Sequence, residues 1–206
     1  MRIKLIDIGK RFNKDWVFRN LRFEFDSSKK YAITGPNGSG KSTLLQIISS
    51  GVIFNEGKIE YFNGEGKSIS PEKVYSDISL AAPYLELIEE MTLLEFLTFH
   101  QKMKGWLNTT TVSEIIKELG LEKATHKQIR YFSSGMKQRV KLAQAIFSDV
   151  SAVLLDEPLT NLDEEGITLY HHLIENYCAD RLVIISSNDP KEYSFCHETI
   201  DIKMYK

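Results

Sequence analysis

The fold is decided by the stretch Gly35-Pro36-Asn37-Gly38-Ser39-Gly40-Lys41-Ser42, which fits the pattern G-x-x-x-x-G-K-S. Its glycines let the backbone wrap closely around phosphate oxygens, in conformations that a Cβ atom resists. The N–H groups of such a loop face an anion at the start of the following helix, where the helix dipole also favours negative charge. The fixed positions of the pattern recur by chance in fewer than about one chain in a hundred of this length. The stretch therefore predicts a nucleotide site.

The sequence on either side supports this prediction, because a short buried strand is predicted at 31–34 and a helix at 42–50. A phosphate loop requires a strand before it and a helix after it. Lys41 is expected to bridge the β- and γ-phosphates of ATP, and the Ser42 hydroxyl is expected to bind Mg²⁺. The residues predicted to bind the nucleotide in this stretch are Gly35, Pro36, Asn37, Gly38, Ser39, Gly40, Lys41, Ser42 and Thr43.

A second motif is an apolar run that ends in two acids, Ala152-Val153-Leu154-Leu155-Asp156-Glu157. Buried parallel strands have this composition, and α/β sheets place ligand-binding groups at the carboxyl ends of their strands. Asp156 is expected to hold Mg²⁺, directly or through water, and Glu157 to polarise the water that attacks the γ-phosphate. A solvated acidic turn is the alternative, which the presence of the phosphate loop disfavours.

The composition is that of an ordinary globular protein, with 42% apolar and 26% charged residues among 206. The net charge of -2 argues against a protein that coats nucleic acid, which needs a basic surface. No run approaches the roughly 20 apolar residues that span a bilayer, so another chain must supply the spanning helices if the protein acts at a membrane. Cys178 and Cys196 have no metal-type or redox-type spacing, which fits the cytoplasm.

Hydrophobic periodicity shows an alternation of strands and helices on both sides of a helical block. This order predicts a parallel-sheet core with a helical insert at about 83–147. Strands are predicted at 2–8, 21–25, 31–34, 57–62, 152–155, 182–185 and 199–203, and helices at 42–50, 92–104, 112–119, 136–147 and 164–177.

A third stretch narrows the choice among phosphate-loop ATPases. It reads Tyr131-Phe132-Ser133-Ser134-Gly135-Met136-Lys137-Gln138-Arg139-Val140 and resembles the signature of ATP-binding-cassette (ABC) proteins, whose usual core is L-S-G-G-Q. It lies just before the acidic strand, as in that family, and Leu159-Thr160-Asn161-Leu162-Asp163 after the strand resembles the family's D-loop. Phe12 falls where the family has an aromatic residue that stacks on adenine. The resemblance covers essentially the whole chain, with its motifs in the family's order.

The resemblance implies a fold and a division of the chain. The implied fold class is α/β: a P-loop NTPase core with a parallel sheet, an N-terminal antiparallel β subdomain and an α-helical insert. Residues 1–206 would form one ABC ATPase domain, with the catalytic core and β subdomain at about 1–82 and 148–206 and the helical subdomain with the signature at 83–147. The implied cofactors are ATP and Mg²⁺, and the expected catalytic residues are Glu157, Lys41 and Asn188.

The signature also has a physical logic of its own. Ser133 and Gly135 lie at the start of the predicted helix 136–147, where a serine, a glycine and a helix N-terminus make a second anion site. One chain cannot easily bring both anion sites onto one γ-phosphate, whereas two chains arranged head to tail can, as the family does around two ATP molecules. We therefore expect Ser133 and Gly135 to bind the nucleotide of a partner cassette, expected to be a second copy. A simple helix N-cap is the alternative, and the two roles are compatible.

Four positions depart from the family pattern. Ser134 and Met136 replace the usual Gly and Gln of the signature, and Met136 begins a Met-Lys-Gln-Arg form that resembles export-type cassettes. Pro83 stands where the family has a Gln that reaches the Mg²⁺ site and the transmembrane partner, and Asn188 where it has a His that contacts the γ-phosphate. Asparagine can donate an amide hydrogen bond but cannot become cationic. We therefore expect slow but real ATP hydrolysis, with Asn188 limiting the rate.

The leading function is the ATP-hydrolysing subunit of a transporter, which dimerises around ATP and drives a separate transmembrane subunit, in an exporter by the form of the signature. Its expected place is the cytoplasm, on the inner face of the membrane through that partner, without a nucleic-acid partner. The docking surface is expected in the helical insert, where 84–90 interleaves apolar residues with acids; a helix with one solvated face is the alternative.

Two other functions stay open. A catalytically weak ATP-dependent switch that gates a partner is favoured by Pro83 and Asn188. A soluble non-transport ABC ATPase that acts on nucleic acid or ribosomes usually has tandem cassettes or a long coiled coil, and the sequence has neither. An ATPase assay distinguishes the switch from the transporter subunit, and co-purification with a membrane protein distinguishes the transporter subunit from the non-transport ATPase.

Overall fold

The fold is that of a computed structural model, which describes residues 1–107 and 110–206. The chain divides into two compact units. The sheet unit consists of Met1–Leu80, Ser151–Glu157 and Asp180–Lys206, and the helical unit consists of Ala81–Val150 and Pro158–Ala179. The interpretation of the chain as one ABC ATPase domain with a catalytic core and a helical subdomain stays a prediction.

Strands and helices follow one another in the predicted order, and each predicted helix is present within two residues at either end. The strands are β1 Arg2–Phe12, β2 Asp15–Asp26, β3 Lys30–Thr34, β4 Glu56–Phe62, β5 Ser68–Ile69, β6 Ile78–Ala81, β7 Ala152–Asp156, β8 Leu182–Ser186 and β9 Glu198–Asp201. The helices are α1 Lys41–Ile48, α2 Leu93–Lys104, α3 Val112–Glu118, α4 Ser134–Ile146, α5 Glu164–Tyr177 and α6 Pro190–Tyr193.

An antiparallel sheet in the order β2-β1-β4-β5 forms one layer of the sheet unit. β1 and β2 make a hairpin in which Phe12 faces Asp15 across a two-residue turn. The turn begins at Asn13 with φ 55°, a conformation that asparagine tolerates better than most residues. Because β1 continues to Phe12 instead of ending at residue 8 as predicted, Phe12 lies at the tip of this hairpin.

A five-stranded sheet in the order β6-β7-β8-β3-β9 forms the other layer. β3 pairs in parallel with β8 and β9, and β7 pairs in parallel with β8. Every residue of β7 and β8 is buried, as expected for a parallel sheet covered on both faces. The register places Ile33 beside Ser186 and Ser186 beside Asp156, so three strands end together at one edge. The predicted parallel-sheet core is confirmed.

One hydrophobic cluster joins the two layers of the sheet unit with α1. Leu44 and Leu45 of α1 and Phe25 of β2 are completely buried in it. The Tyr61 hydroxyl donates a 3.0 Å hydrogen bond to the carbonyl of Ile48 and so ties the end of α1 to β4. The helix that follows the phosphate loop is therefore fixed along its apolar side and at its C-terminus.

The helical unit is built from α2 to α5, with side chains that cap each helix. Thr92 and Glu95 form a capping box at the start of α2, and Thr111 and Glu114 form one at the start of α3. Ser133 caps α4 and Asp163 caps α5. None of the helices in the described ranges is both long and apolar enough to cross a membrane.

Two sequence predictions are wrong in detail. Residues 84–90 are not helical, because their backbone pairs with the segment before the signature: Glu89 and Met91 accept hydrogen bonds from the N–H groups of Arg130 and Ile129, at 3.0 and 2.9 Å. The predicted last strand at 199–203 ends at Asp201, because the side chain of Asp201 accepts the N–H of Lys203 and starts a 3₁₀ turn at Ile202–Tyr205.

Candidate nucleotide site

The phosphate loop connects β3 to α1, and its backbone requires glycine at two points. Gly40 has φ 106°, and a Cβ atom there would lie 2.3 Å from Cγ1 of Val17. Gly35 has φ 142°, and a Cβ atom there would lie 2.8 Å from Oγ of Ser39. Both residues adopt conformations that L side chains rarely reach, and both approach a neighbour too closely to carry one. The backbone conformation therefore requires glycine at these two positions, and the wrapping of the loop around phosphate oxygens stays a prediction.

The first turn of α1 is left open to a ligand. Its N-cap is Gly40, no side chain caps it, and no acidic residue lies in its first turn. The first N–H groups of a helix have no partner within the helix, so an uncapped start offers them to an anion. Lys41 begins the helix, is 4% exposed, and its Nζ donates to the carbonyls of Gly35 (2.9 Å) and Pro36 (3.4 Å). The uncapped N–H groups and the ammonium group of Lys41 therefore lie on the same loop and first helical turn.

Asp156 is the last residue of β7 and is buried, with 2% of its surface exposed. Burial raises the pKa of Asp156, while the adjacent hydroxyls of Ser42 and Ser186 and the charge of Lys41 act in the opposite direction. Its Oδ1 atom is buried and has no hydrogen-bond partner among the described residues. A carboxylate oxygen without a partner beside a serine hydroxyl fits the oxygen ligands that Mg²⁺ prefers.

Glu157 follows Asp156 in a strained conformation. Its φ is 44°, which is uncommon for a residue with a side chain and is concentrated at functional sites. The Glu157 N–H donates a 2.9 Å hydrogen bond to the carbonyl of Ser186, which holds the residue at the end of β8. The sheet thus overrides the local preference of the backbone and fixes the glutamate at the edge where the strands end.

These residues surround one pocket of the sheet unit with a volume of about 290 Å³. Phe12 reaches it from the hairpin tip with 53% of its surface exposed, which leaves its ring available to a base. The sequence did not identify Val17 as a lining residue, because nothing in the apolar run Trp16-Val17-Phe18 distinguishes it from its neighbours. The pocket is lined by Phe12, Val17, Asn37, Gly38, Gly40, Lys41, Ser42, Thr43 and Glu157.

Asn188 follows β8 and lies next to the phosphate loop; its contact with the γ-phosphate, which the resemblance implies, stays a prediction. Its Nδ2 donates a 3.1 Å hydrogen bond to Oδ1 of Asn37. The same strand end contributes Ser186 beside Asp156, which sequence reasoning missed. The signal was available, because Ser186 follows an apolar run in the same way that Asp156 does.

The signature residues lie in the helical unit. Ser133 is the N-cap of α4, and its Oγ accepts a 3.2 Å hydrogen bond from the N–H of Met136, so the N-cap alternative is correct. A Cβ atom on Gly135 would lie 3.1 Å from the carbonyl oxygen of Asn161 in the predicted D-loop. The anion-binding role of Ser133 and Gly135 stays a prediction. A pocket of about 510 Å³ adjoins them, lined by Gly120, Leu121, Lys123, Ala124, Ser133, Ser134, Gly135, Met136, Arg139, Asn161 and Asp163.

Pro83, at the position where the resemblance leads one to expect Gln, is held through its backbone. Nζ of Lys141 in α4 donates to the carbonyl oxygens of Pro83 (2.9 Å) and Ala82 (3.4 Å). Burial lowers the pKa of Lys141, and the charge of Glu86 acts in the opposite direction. This segment of the helical unit therefore depends on a lysine of the signature helix for its position.

Comparisons with known proteins identify the family of the chain. The family model described as "ABC transporter" matches residues 18–160. The uncharacterized ABC transporter ATP-binding protein YybJ of Bacillus subtilis is 30% identical, over 97% of this chain and 92% of its own length. The lantibiotic transport ATP-binding protein SrtF of Streptococcus pyogenes is 28% identical, over 90% of this chain and 79% of its own.

The solved structures confirm the fold. A dimeric structure of the ATP-binding cassette MJ0796, in a post-hydrolysis state with ADP and Pi, superposes with a TM-score of 0.81 at 21% identity, over 97% of this chain and 94% of its own. The α/β architecture with a parallel sheet and an N-terminal antiparallel sheet is therefore that of an ABC ATPase. On the family match and this fold, the chain belongs to the ABC transporter family as an ATP-binding protein.

Proposed function

We propose that this chain binds and hydrolyses Mg²⁺-ATP as the motor subunit of a membrane transporter. One observation carries the proposal: the phosphate loop and Glu157 line one pocket, and the edge where β7 and β8 end also holds Asp156. Family membership makes ATP the expected ligand. The roles of the individual residues are inferred from their positions in this pocket.

The chemistry follows from the charges and donors of the site. The loop N–H groups and Lys41 bind the β- and γ-phosphates and hold the γ-phosphorus in line for attack. Ser42 and Asp156 would hold Mg²⁺, and the chemistry it would supply is positive charge beside the phosphate oxygens. Glu157 accepts a hydrogen bond from the attacking water and so orients a lone pair of the water oxygen toward phosphorus. Asn188, through its amide, is the expected donor to the γ-phosphate.

The decisive experiment is phosphate release by the purified chain with Mg²⁺-ATP. Glu157→Gln keeps the shape of the side chain and removes its basicity, so we expect turnover to fall by about 10²- to 10⁴-fold with ATP binding retained. Glu164→Gln is the matched control, because Glu164 is an exposed acid in the first turn of α5. Equal turnover in the wild type and Glu157→Gln, with and without a membrane partner, would contradict the proposal.

A second cassette completes the site in this proposal. Ser133 and Gly135 of one chain would contact the γ-phosphate held by another copy. The dimeric structure of MJ0796 supports this arrangement by similarity of fold. Sedimentation of the Glu157→Gln variant with ATP tests it, since blocked hydrolysis should accumulate the dimer, and a monomer at saturating ATP would contradict it.

The transmembrane partner is proposed to dock on residues 84–90 of the helical unit. Tyr84, Leu85 and Ile88 are 44%, 39% and 40% exposed, which is unusual for large apolar side chains so close together. Two acids of the segment are paired within the unit, Glu89 with Lys137 and Glu90 with Arg130. The segment therefore offers a partner mainly apolar contacts, and less charge than its sequence indicated.

Co-purification with the membrane partner tests this surface. Ile88→Glu is expected to abolish co-purification. Met204→Glu places the same charge at an apolar residue of the sheet unit that is 81% exposed, and it is expected to leave co-purification intact.

The direction of transport is measured with the transporter reconstituted in vesicles. Export is proposed from the Met-Lys-Gln-Arg form of the signature, and accumulation of cargo on the motor side of the membrane would contradict it.

A weak ATP-dependent switch is the second candidate, because Asn188 replaces a residue that can become cationic. The phosphate-release assay separates the candidates: a switch binds ATP and engages its partner with no turnover that depends on Glu157. In either case the proposed place of action is the cytoplasmic face of the membrane, through the partner.

A further inference from the structure

The hairpin tip that carries Phe12 has a cation fixed against the aromatic ring. Nζ of Lys10 lies 4.7 Å from the centroid of the Phe12 ring. The same Nζ donates a 2.7 Å hydrogen bond to the carbonyl of Ile53. A lysine on a strand surface normally keeps its flexible side chain in water, so this bond gives the ammonium group a defined place. The contact with Phe12 is therefore a specific cation–π interaction.

The segment that receives Lys10 also binds the neighbouring backbone of β1. The N–H of Asn55 donates to the carbonyl of Gly9 at 2.8 Å, and Oδ1 of Asn55 accepts the N–H of Arg11 at 2.9 Å. This segment follows α1, the helix that begins at the phosphate loop. Three hydrogen bonds thus link the base of the hairpin tip to the chain leaving that helix, which sets the Phe12 ring relative to the phosphate loop.

The cation at Phe12 is distinct from the other cations of the hairpin. The guanidinium groups of Arg11 and Arg19 lie over the ring of Trp16, at 5.4 and 4.1 Å from its centroid, and Arg19 also pairs with Glu56. These contacts stiffen the hairpin. Among the residues that the structure describes, Lys10 is the cation that lies over the ring of Phe12, and Phe12 lines the candidate nucleotide pocket.

We propose that Lys10 is a positioning residue for the purine base, acting through Phe12; this rests on the proposed function of the pocket. An aromatic ring has two faces, and a cation held over one leaves the other for a flat partner. The ammonium group draws electron density from the ring, and a ring poorer in electrons stacks better on an electron-rich purine. Lys10 also restricts the ring to one orientation, so less freedom is lost when the base binds.

The test compares a ligand that has a base with one that has none. Lys10→Met keeps the length of the side chain and removes the charge, and its affinities for ATP and for inorganic tripolyphosphate are measured by calorimetry. We expect ATP to bind about threefold to fivefold more weakly and tripolyphosphate to bind as in the wild type. Lys10→Arg, which keeps a cation at the ring, should restore most of the ATP affinity. Lys14→Met, at an exposed lysine of the same hairpin turn, is the matched control and should change neither affinity.

Each other outcome overturns the proposal. Equal losses for ATP and tripolyphosphate would mean that Lys10 acts on the phosphates or on the fold. Unchanged or tighter ATP binding would mean that the ammonium group is neutral or competes with the base for the ring. Failure of the wild type to bind ATP at all would instead refute the proposed function, which is a distinguishable result.

Discussion

The start of α1 in the sheet unit and the starts of α2 and α3 in the helical unit are built in opposite ways. α1 begins after Gly40 with no side-chain cap and no acid in its first turn. α2 and α3 begin with complete capping boxes, and hydrogen bonds from the residues of each cap lower the pKa of Glu95 and Glu114. A capping box satisfies two of the free N–H groups at the helix start and places a carboxylate there, which disfavours an anion. The start of α1 is therefore open to a ligand, whereas the capping boxes stabilise the starts of α2 and α3.

α4 lies between these extremes. Ser133 caps it, yet no acid lies in its first turn. A serine cap satisfies one donor without adding charge, so the start of α4 still favours an anion. The comparison thus ranks α1 first, α4 second and the capping-box helices last as anion sites.

Among the changes that test this comparison, the largest effect is expected from Gly40→Ala at the open start of α1. The new Cβ would lie 2.3 Å from Cγ1 of Val17, and alanine rarely adopts φ 106°. The loop must therefore change its conformation, and we expect ATP affinity to fall by at least about a hundredfold. Gly64→Ala is the control for folding, since nothing lies within 4 Å of a Cβ there. Gly135→Ala should leave ATP binding to the isolated chain unchanged. Calorimetry on the three variants checks this, and a normal affinity of Gly40→Ala would break the comparison.

A second prediction concerns acid stability of the helical unit. The hydroxyl of Ser148 donates to the carbonyl of Gln144 at 2.6 Å, so it accepts from Nε2 of His100 at 2.7 Å. Burial lowers the pKa of His100 to about 4, and Lys104 adds to the shift. A histidine with a lowered folded-state pKa stabilises the fold fully above about pH 6.5, and that stabilisation is lost as the pH falls toward 4.

The free energy of unfolding should therefore drop by about 2–3 kcal/mol between pH 6.5 and 4 through this residue alone. Urea titrations across that range measure it. His100→Gln should flatten the decline, whereas His126→Gln, at an exposed histidine, should retain it. An equal decline in wild type and His100→Gln would show that other groups carry the acid response.

A third prediction separates the two roles of Ser133. Ser133→Asp keeps the N-cap, so the free energy of unfolding should stay within about 0.5 kcal/mol, while the added charge should reduce ATP turnover at least about tenfold. Ser133→Ala should lower the free energy of unfolding by about 1 kcal/mol. Phosphate release and urea unfolding check both. Wild-type turnover in Ser133→Asp would mean that Ser133 serves only as the N-cap of α4 and does not contact ATP.

The smallest effect is expected from Asn188→His. Asn188 contacts Asn37 of the phosphate loop, so a cationic or better-placed donor there should raise turnover by about threefold to tenfold if this position limits the rate. Steady-state phosphate release with Mg²⁺-ATP measures it, with Asn176→His, on an exposed face of α5, as the control. An unchanged rate would show that another step is slower.

The sequence was most informative where the site is local. The phosphate loop is one continuous stretch, and its glycine pattern follows from backbone conformation alone, so it could be read directly. Phe12 and the signature needed the resemblance to a family, because neither an aromatic on a strand nor a serine before a helix is distinctive. The contacts of Asn188 with Asn37 and of Lys10 with Ile53 join chain segments that are far apart in sequence, so local patterns do not indicate them.

The helix predicted at 84–90 is wrong for a similar reason, because the backbone partners of this segment are distant in sequence. Its alternation of apolar and acidic residues fits a helix surface, but its backbone partners lie around residue 129, and nothing local indicates them. Likewise, the ion pairs of Glu89 and Glu90 show that exposed acids in a sequence are often matched within the same unit.

The bond from the Glu157 N–H to the carbonyl of Ser186 has a mechanical consequence. This hydrogen bond continues the β7–β8 ladder by one residue, to Glu157. The phosphate loop, in contrast, connects β3 to α1 through a glycine-rich segment outside any strand. The pocket is therefore lined on one side by backbone fixed in a sheet, at Glu157, and on the other by the more flexible phosphate loop. Adjustments to an incoming nucleotide should therefore occur on the loop side, and the amide of Glu157 should exchange its hydrogen slowly both with and without ATP.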